Sequence, residues 1–127
     1  MIAVVVGLTH LLLQVEDLKA AEAFYVGMLG FTVLNRSALR DGRPLLVTGE
    51  GLGLTVVTTR GSPARSTVDH IAFFVPDVAS VRSRLAELGL ECEGPVATER
   101  YGMSIYVRDP DGNRIELHDR RPARDGQ

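Results

Sequence analysis

An internal repeat constrains this chain more than any other feature. At an offset of 60 residues His10 falls on His70, Val15 on Val75 and Asp17 on Asp77; a one-residue deletion then brings Leu29-Gly30 onto Leu88-Gly89. The identities are few, but they fall at a strand, a helix cap and a helix end, which makes duplication the economical reading. Each copy opens on a strand-length apolar run, residues 7–15 and 68–75, with a histidine in it. Asp17 and Asp77 are placed as helix N-caps. Behind them Leu18, Ala21, Phe24, Tyr25 and Met28 recur at helical spacing, as do Val78, Val81, Leu85 and Leu88. Gly30 and Gly89 stand where a glycine closes a helix. Further strands are expected at 31–34, 45–48 and 52–59, and again at 90–93, 104–107 and 115–118, with polar loops at 36–44 and 95–102. Each copy reads β-α-β-β-β.

A tandem βαβββ repeat predicts an α+β fold. Two curved sheets carry helices on their outer faces and leave a concave cavity for a metal or ligand. We expect one domain over residues 1–127, with module one at about 7–59, a linker at 61–66, module two at about 68–119 and a flexible tail at 120–127. The length supports one core. With 45% hydrophobic residues, 24% charged residues and a net charge of −2, the composition is that of a soluble protein without a basic nucleic-acid surface. One cysteine, Cys92, excludes an internal disulfide and fits a reducing compartment. Residues 1–6 are apolar but too short for a signal peptide or membrane span. The expected setting is cytoplasmic, with neither nucleic acid nor membrane as partner.

The second informative stretch is Asp109–His118, DPDGNRIELH. Its opening is dense turn chemistry, and period-two alternation on either side reads as a β-hairpin. A turn centred near Asp111 sets Tyr106 across from Glu116 on one face. Ile105, Val107, Ile115 and Leu117 take the other. A carboxylate in mid-strand needs a partner, because an unpaired buried charge is costly. Taken singly, His10 and His70 read as core or surface histidines, and Glu116 as an exposed strand residue. The repeat makes the histidines equivalent, so His10, His70 and Glu116 form a candidate 2-His-1-carboxylate set. Such a set suits Fe(II), Mn(II), Zn(II), Ni(II) or Co(II) and leaves positions open for substrate. Aligning Leu54-Thr55-Val56-Val57 with Ile115-Glu116-Leu117-His118 makes Thr55 the first-module counterpart of Glu116.

These residues resemble the vicinal oxygen chelate superfamily of glyoxalases, bleomycin-resistance proteins and extradiol dioxygenases. Leu8-Thr9-His10 through Phe24-Tyr25 and Leu29-Gly30-Phe31 resemble its first-module opening, Asp69-His70-Ile71-Ala72-Phe73 its second, and residues 109–117 its hairpin motif. The resemblance implies a divalent metal held by His10, His70 and Glu116. It also implies an enzyme acting on a small vicinally oxygenated molecule, either as a glyoxalase-like lyase or isomerase or as an extradiol ring-cleaving dioxygenase. Tyr106, ten residues before the glutamate, matches a substrate-binding tyrosine of the dioxygenases and of the fosfomycin-resistance thiol transferases. Strand packing is the other reading of Tyr106. The chain departs from the thiol transferases at Leu12, where they have threonine, and at 98–102, where their cation-binding loop is not legible. It departs from glyoxalase I at Thr55, where a fourth ligand is usual. His118 reads as a surface histidine or a late acid/base. Arg100 and Arg108 read as surface charge or as contacts for an anionic substrate. A homodimer is implied, with sites shared between chains. The alternative function is a metal-free antibiotic-binding protein of the bleomycin-resistance type.

Overall fold

The computed structural model describes residues 8–57 and 68–120. The chain divides into two units, residues 1–62 and 63–127. In the first, β1 (Leu11–Val15) leads through α1 (Leu18–Glu22) and a widened helical segment (Ala23–Met28) to β2 (Val33–Ala38), β3 (Pro44–Thr48) and β4 (Leu52–Val56). In the second, β5 (Ile71–Phe74) is followed by α2 (Val78–Glu87), β6 (Glu93–Thr98), β7 (Gly102–Arg108) and β8 (Arg114–His118). The strand orders are β1-β4-β3-β2 and β5-β8-β7-β6. In each sheet the first strand runs parallel to the last, and the other pairs are antiparallel. The expected α+β fold of two βαβββ modules is what forms. Among the described residues no helix is long and apolar enough to cross a membrane.

The local signals act as expected. Asp17 accepts hydrogen bonds from the Lys19 and Ala20 amides, and Asp77 from that of Ala79. Gly30 and Gly89 take the left-handed conformation at the helix ends. The first helix has one residue more than the second between cap and glycine. It absorbs that residue by widening: the Leu29 amide donates to Phe24 O, five residues back. Phe24 and Tyr25 are thereby both buried, with ring centroids 5.0 Å apart. In the second unit, α2 lies against β7 and buries Val78 and Leu85. Ile105, Val107, Ile115 and Leu117 are buried on the apolar face of β7 and β8. By strand alternation Ser104, Tyr106, Arg114, Glu116 and His118 occupy the opposite face.

Two expectations are corrected. The second strand of each copy was placed too early, since β2 runs to Ala38 and β6 covers Glu93–Thr98. Both are edge strands, where polar residues and a proline are tolerated. Pro95 sits in a register shift between Glu93 and Val96. Gly94 is required beside it, because a Cβ there would lie 2.9 Å from Ser104 O at φ +97°. Thr55 is not the counterpart of Glu116. In β1/β4 Leu12 pairs with Gly53, and in β5/β8 Ala72 pairs with Glu116, so the glutamate's position is held by Gly53. Thr55 is fully buried and donates to Pro44 O at 2.7 Å. The expected linker at 61–66, the stretch 1–6 and the tail beyond 120 lie outside the described residues.

The β7–β8 hairpin is pinned by Asp109, which is 5% exposed. Its Oδ1 accepts from the amides of Asp111 (2.9 Å) and Asn113 (2.7 Å), and its Oδ2 from Asn113 Nδ2 (2.8 Å). Asp109→Ala orphans those donors and is expected to cost about 1–3 kcal/mol, read as a lower urea midpoint at unchanged m-value.

Candidate metal and substrate site

The hairpin register pairs Tyr106 with Glu116, and the parallel β5 pairs Ala72 with the same glutamate. His70, just ahead of β5, is thereby brought to Glu116. Its Nε2 lies 3.4 Å from Glu116 Oε1. Both groups are fixed from behind. His70 Nδ1–H donates to Asp69 Oδ2 at 2.7 Å, leaving Nε2 with its lone pair. Ser104 Oγ donates to Glu116 Oε2 at 3.2 Å, leaving Oε1 free of that bond. Glu116 is 6% exposed, so its charge is withdrawn from water at the point where two lone-pair-bearing atoms converge. The Asp69 carboxyl is held below its ordinary range, chiefly by the hydrogen bond from His70.

Tyr106 stands beside this pair. Burial, followed by the neighbouring Glu116 charge, pushes its phenol above the ordinary value. At neutral pH it is therefore a hydrogen-bond donor rather than a base. Arg114 lies over its ring, with the guanidinium carbon 3.9 Å from the centroid.

His10 belongs to the first unit. It is exposed, and its Nδ1 lies 3.0 Å from Thr9 Oγ1. The residue before each repeat histidine thus engages Nδ1, though only the Asp69 carboxylate, which cannot donate, fixes the proton there; the Thr9 hydroxyl can donate or accept. His10 borders a cavity of about 540 Å³ whose other walls include Leu12, Leu45, Val47 and Gly53. His118 is 6% exposed, not a surface histidine: its Nδ1–H donates to Arg120 O at 3.1 Å, and its ring lies 4.9 Å from that of Tyr101. Arg100 lies near the Tyr101 ring in the β6–β7 turn, whereas Arg108 pairs across strands with Arg114. Ser104, Asp69 and Arg114 were missed from the sequence. For Asp69 a signal was present, since it precedes a repeat histidine as Thr9 does. Ser104 and Arg114 become visible only through register.

Among the described residues no three His, Cys, Asp or Glu side chains gather into one metal cage. His70 and Glu116 do fit two adjacent positions on one ion. Ligands at ~2.1 Å from a divalent ion are ~3.0–3.4 Å apart at cis or tetrahedral angles, and the observed 3.4 Å matches.

The family profile of the Glyoxalase/Bleomycin resistance protein/Dioxygenase superfamily matches residues 7–117, and the chain belongs to that family. It is 34% identical over 119 residues to virulence protein STM3117 of Salmonella typhimurium, covering 85% of this chain and 80% of that protein. It is 31% identical to metallothiol transferase FosB of Lysinibacillus sphaericus, covering 88% and 81%. Among solved structures, the antibiotic-binding protein TnmS3 of Streptomyces sp. CB03234 superposes with a TM-score of 0.72 at 25% identity, covering 95% of this chain and 99% of that one.

With Nδ1–H bonded to Asp69, His70 Nε2 turns its lone pair to Glu116 Oε1 at 3.4 Å. Glu116→Gln replaces that contact with an amide that donates to His70 Nε2. The variant is expected to melt no lower than wild type in chelator, with a gain of about 0.5–1.5 kcal/mol. A clear drop in melting temperature would show that the carboxylate already has a stabilising role without metal.

Proposed function

We propose that this chain is a divalent-metal enzyme that holds two neighbouring oxygens of a small molecule at a site built from His10, His70 and Glu116. The observation supporting this is the convergence of His70 Nε2 and Glu116 Oε1, each oriented by a partner on its far atom. Without a cation between them, a buried carboxylate oxygen and an imidazole lone pair gain little from facing each other. When bound, a divalent cation supplies Lewis-acid stabilisation of an oxyanion on the substrate. His70 and Glu116 supply two donor atoms, and His10 the third from the first module. Asp69 keeps the His70 imidazole in the tautomer that frees Nε2, and Thr9 holds the His10 ring through Nδ1. Tyr106 donates its phenolic proton to a substrate oxygen, and remains protonated because burial and the Glu116 charge both oppose ionisation.

Gly53 separates the reactions. The register position that carries Glu116 in the second sheet carries no side chain in the first. The set therefore has three protein ligands, which suits a substrate chelating through two oxygens. Extradiol-type ring cleavage is favoured on this ground over the glyoxalase-type lyase or isomerase reaction, which usually draws on a fourth protein ligand. The proposed assembly is a homodimer.

The second reading is a metal-free small-molecule binder. The leucine-lined cavity beside His10 favours it, as does the likeness to an antibiotic-binding protein.

Elemental analysis after titration with Fe(II), Mn(II), Zn(II) and Ni(II) decides between the two. The enzyme reading expects about one ion per chain, lost in His10→Ala and in Glu116→Ala while the fold is kept. No uptake of any metal would move the assignment to the binder. Gly53→Glu tests the counterpart assignment. Its Cβ would meet only the end of Leu12 at 3.3 Å and of Leu45 at 3.7 Å, besides Leu11 O at 3.8 Å. The variant is expected to bind metal about tenfold more tightly and to lose turnover; unchanged affinity would remove Gly53 from the site.

A further inference from the structure

Arg114 and Arg108 face each other directly across β7 and β8. They lie on the same face as Tyr106 and Glu116. Like charges in directly opposed cross-strand positions are destabilising, and an anion between or beside them would relieve the repulsion. Arg108 turns away, donating from Nη1 to Gly112 O at 3.1 Å. Arg114 turns inward: its guanidinium is stacked on the Tyr106 ring at 3.9 Å, and its side chain is 31% exposed. Its only ion pair among the described residues is with the exposed Glu93 at 4.0 Å, at the limit of contact, and surface pairs of this kind contribute little. Among the described residues no hydrogen bond engages its guanidinium. A flat fork of N–H donors is thus held in a fixed plane by an aromatic ring, with its donors unfilled. It stands two residues from Glu116, about 7 Å along the strand. One step before the Ile71–Ile115 pair, the parallel register brings it level with His70. The charges of both arginines reach Asp69, where they help to lower the carboxyl's pKa.

We propose that Arg114 is a specificity-determining residue that binds an anionic group, a carboxylate or its equivalent, on the substrate whose neighbouring oxygens reach the metal. This rests on the metal reading above. Bidentate carboxylate recognition is what a stacked guanidinium provides and a lysine does not. The substrate class narrows accordingly, from small oxygenated molecules in general to those carrying a negative charge close to the vicinal oxygens.

The test uses the full chain loaded with Zn(II), its metal content measured. Catechol, protocatechuate and o-pyrocatechuate are titrated calorimetrically into wild type, Arg114→Gln and Arg114→Lys. Wild type is expected to bind at least one of the two carboxylated catechols about tenfold or more tightly over catechol. That preference should fall as salt is raised, vanish in Arg114→Gln and return only in part in Arg114→Lys, while affinity for catechol itself changes less than about threefold. Absence of any preference in wild type would overturn the proposal. So would an equal loss for all three ligands in Arg114→Gln, which would leave Arg114 as a prop for the Tyr106 ring. Failure of wild type to take up zinc would overturn the metal reading instead. The anion site would then be decided on the metal-free chain with benzoate: weaker binding in Arg114→Gln supports it, and equal binding refutes it.

Discussion

The β7–β8 pairing is the constraint on which the second unit depends. Asp109 gathers three donors around one buried carboxylate and thereby sets where the hairpin turns. The turn sets the register, and the register places Tyr106 opposite Glu116. A slip of one residue would send Glu116 and Tyr106 to the face that holds Ile105 and Leu117, and would bring those apolar groups out. The site is thus specified by the same interaction that specifies the core. The most recognisable motif in the chain acts at one remove: its aspartate, proline and glycine shape a turn, and chemistry begins only beyond it.

The two sheets share a topology and differ in what they place at equivalent points. His10 and His70 each have Nδ1 engaged by the residue before them. Opposite them the copies diverge, with Glu116 buried and hydrogen-bonded in one and Gly53 bare in the other. The first unit answers with leucine and valine around a cavity, the second with a serine, a phenol, a guanidinium and a carboxylate on one face. Each unit is thus lined differently on equivalent strands, the second with polar groups and the first with apolar ones. A similar economy appears in the helices, where one extra residue in the first copy is taken up by a wider turn with both aromatic residues still buried.

Family membership and geometry bear on different levels of function. Membership sets the fold and the range of chemistry, which includes metal-using enzymes and ligand-binding proteins. The geometry bears on the residues. A buried carboxylate aimed at an imidazole nitrogen, a phenol kept protonated by its surroundings and a stacked arginine are specific enough to be tested one at a time.

Local signals determined much of this protein. The repeat, the aspartate caps, the closing glycines and the turn motif each act through contacts within a few residues, so the βαβββ order and the pairing of Tyr106 with Glu116 were legible directly. His10, His70 and Glu116 were likewise nameable, because the repeat and the hairpin put them in equivalent or mid-strand positions. Tertiary structure decided what depends on pairing between distant segments. Pro95 lies inside a strand because β6 is at an edge, and nothing local announces an edge. Gly53, not Thr55, matches Glu116 because inter-strand hydrogen bonds set the register, and side-chain pattern alone tolerates a shift of two. Ser104 and Arg114 share the face of Glu116 for the same reason. Alternation along a strand says which residues share a face, but only the pairing of strands says which of them meet.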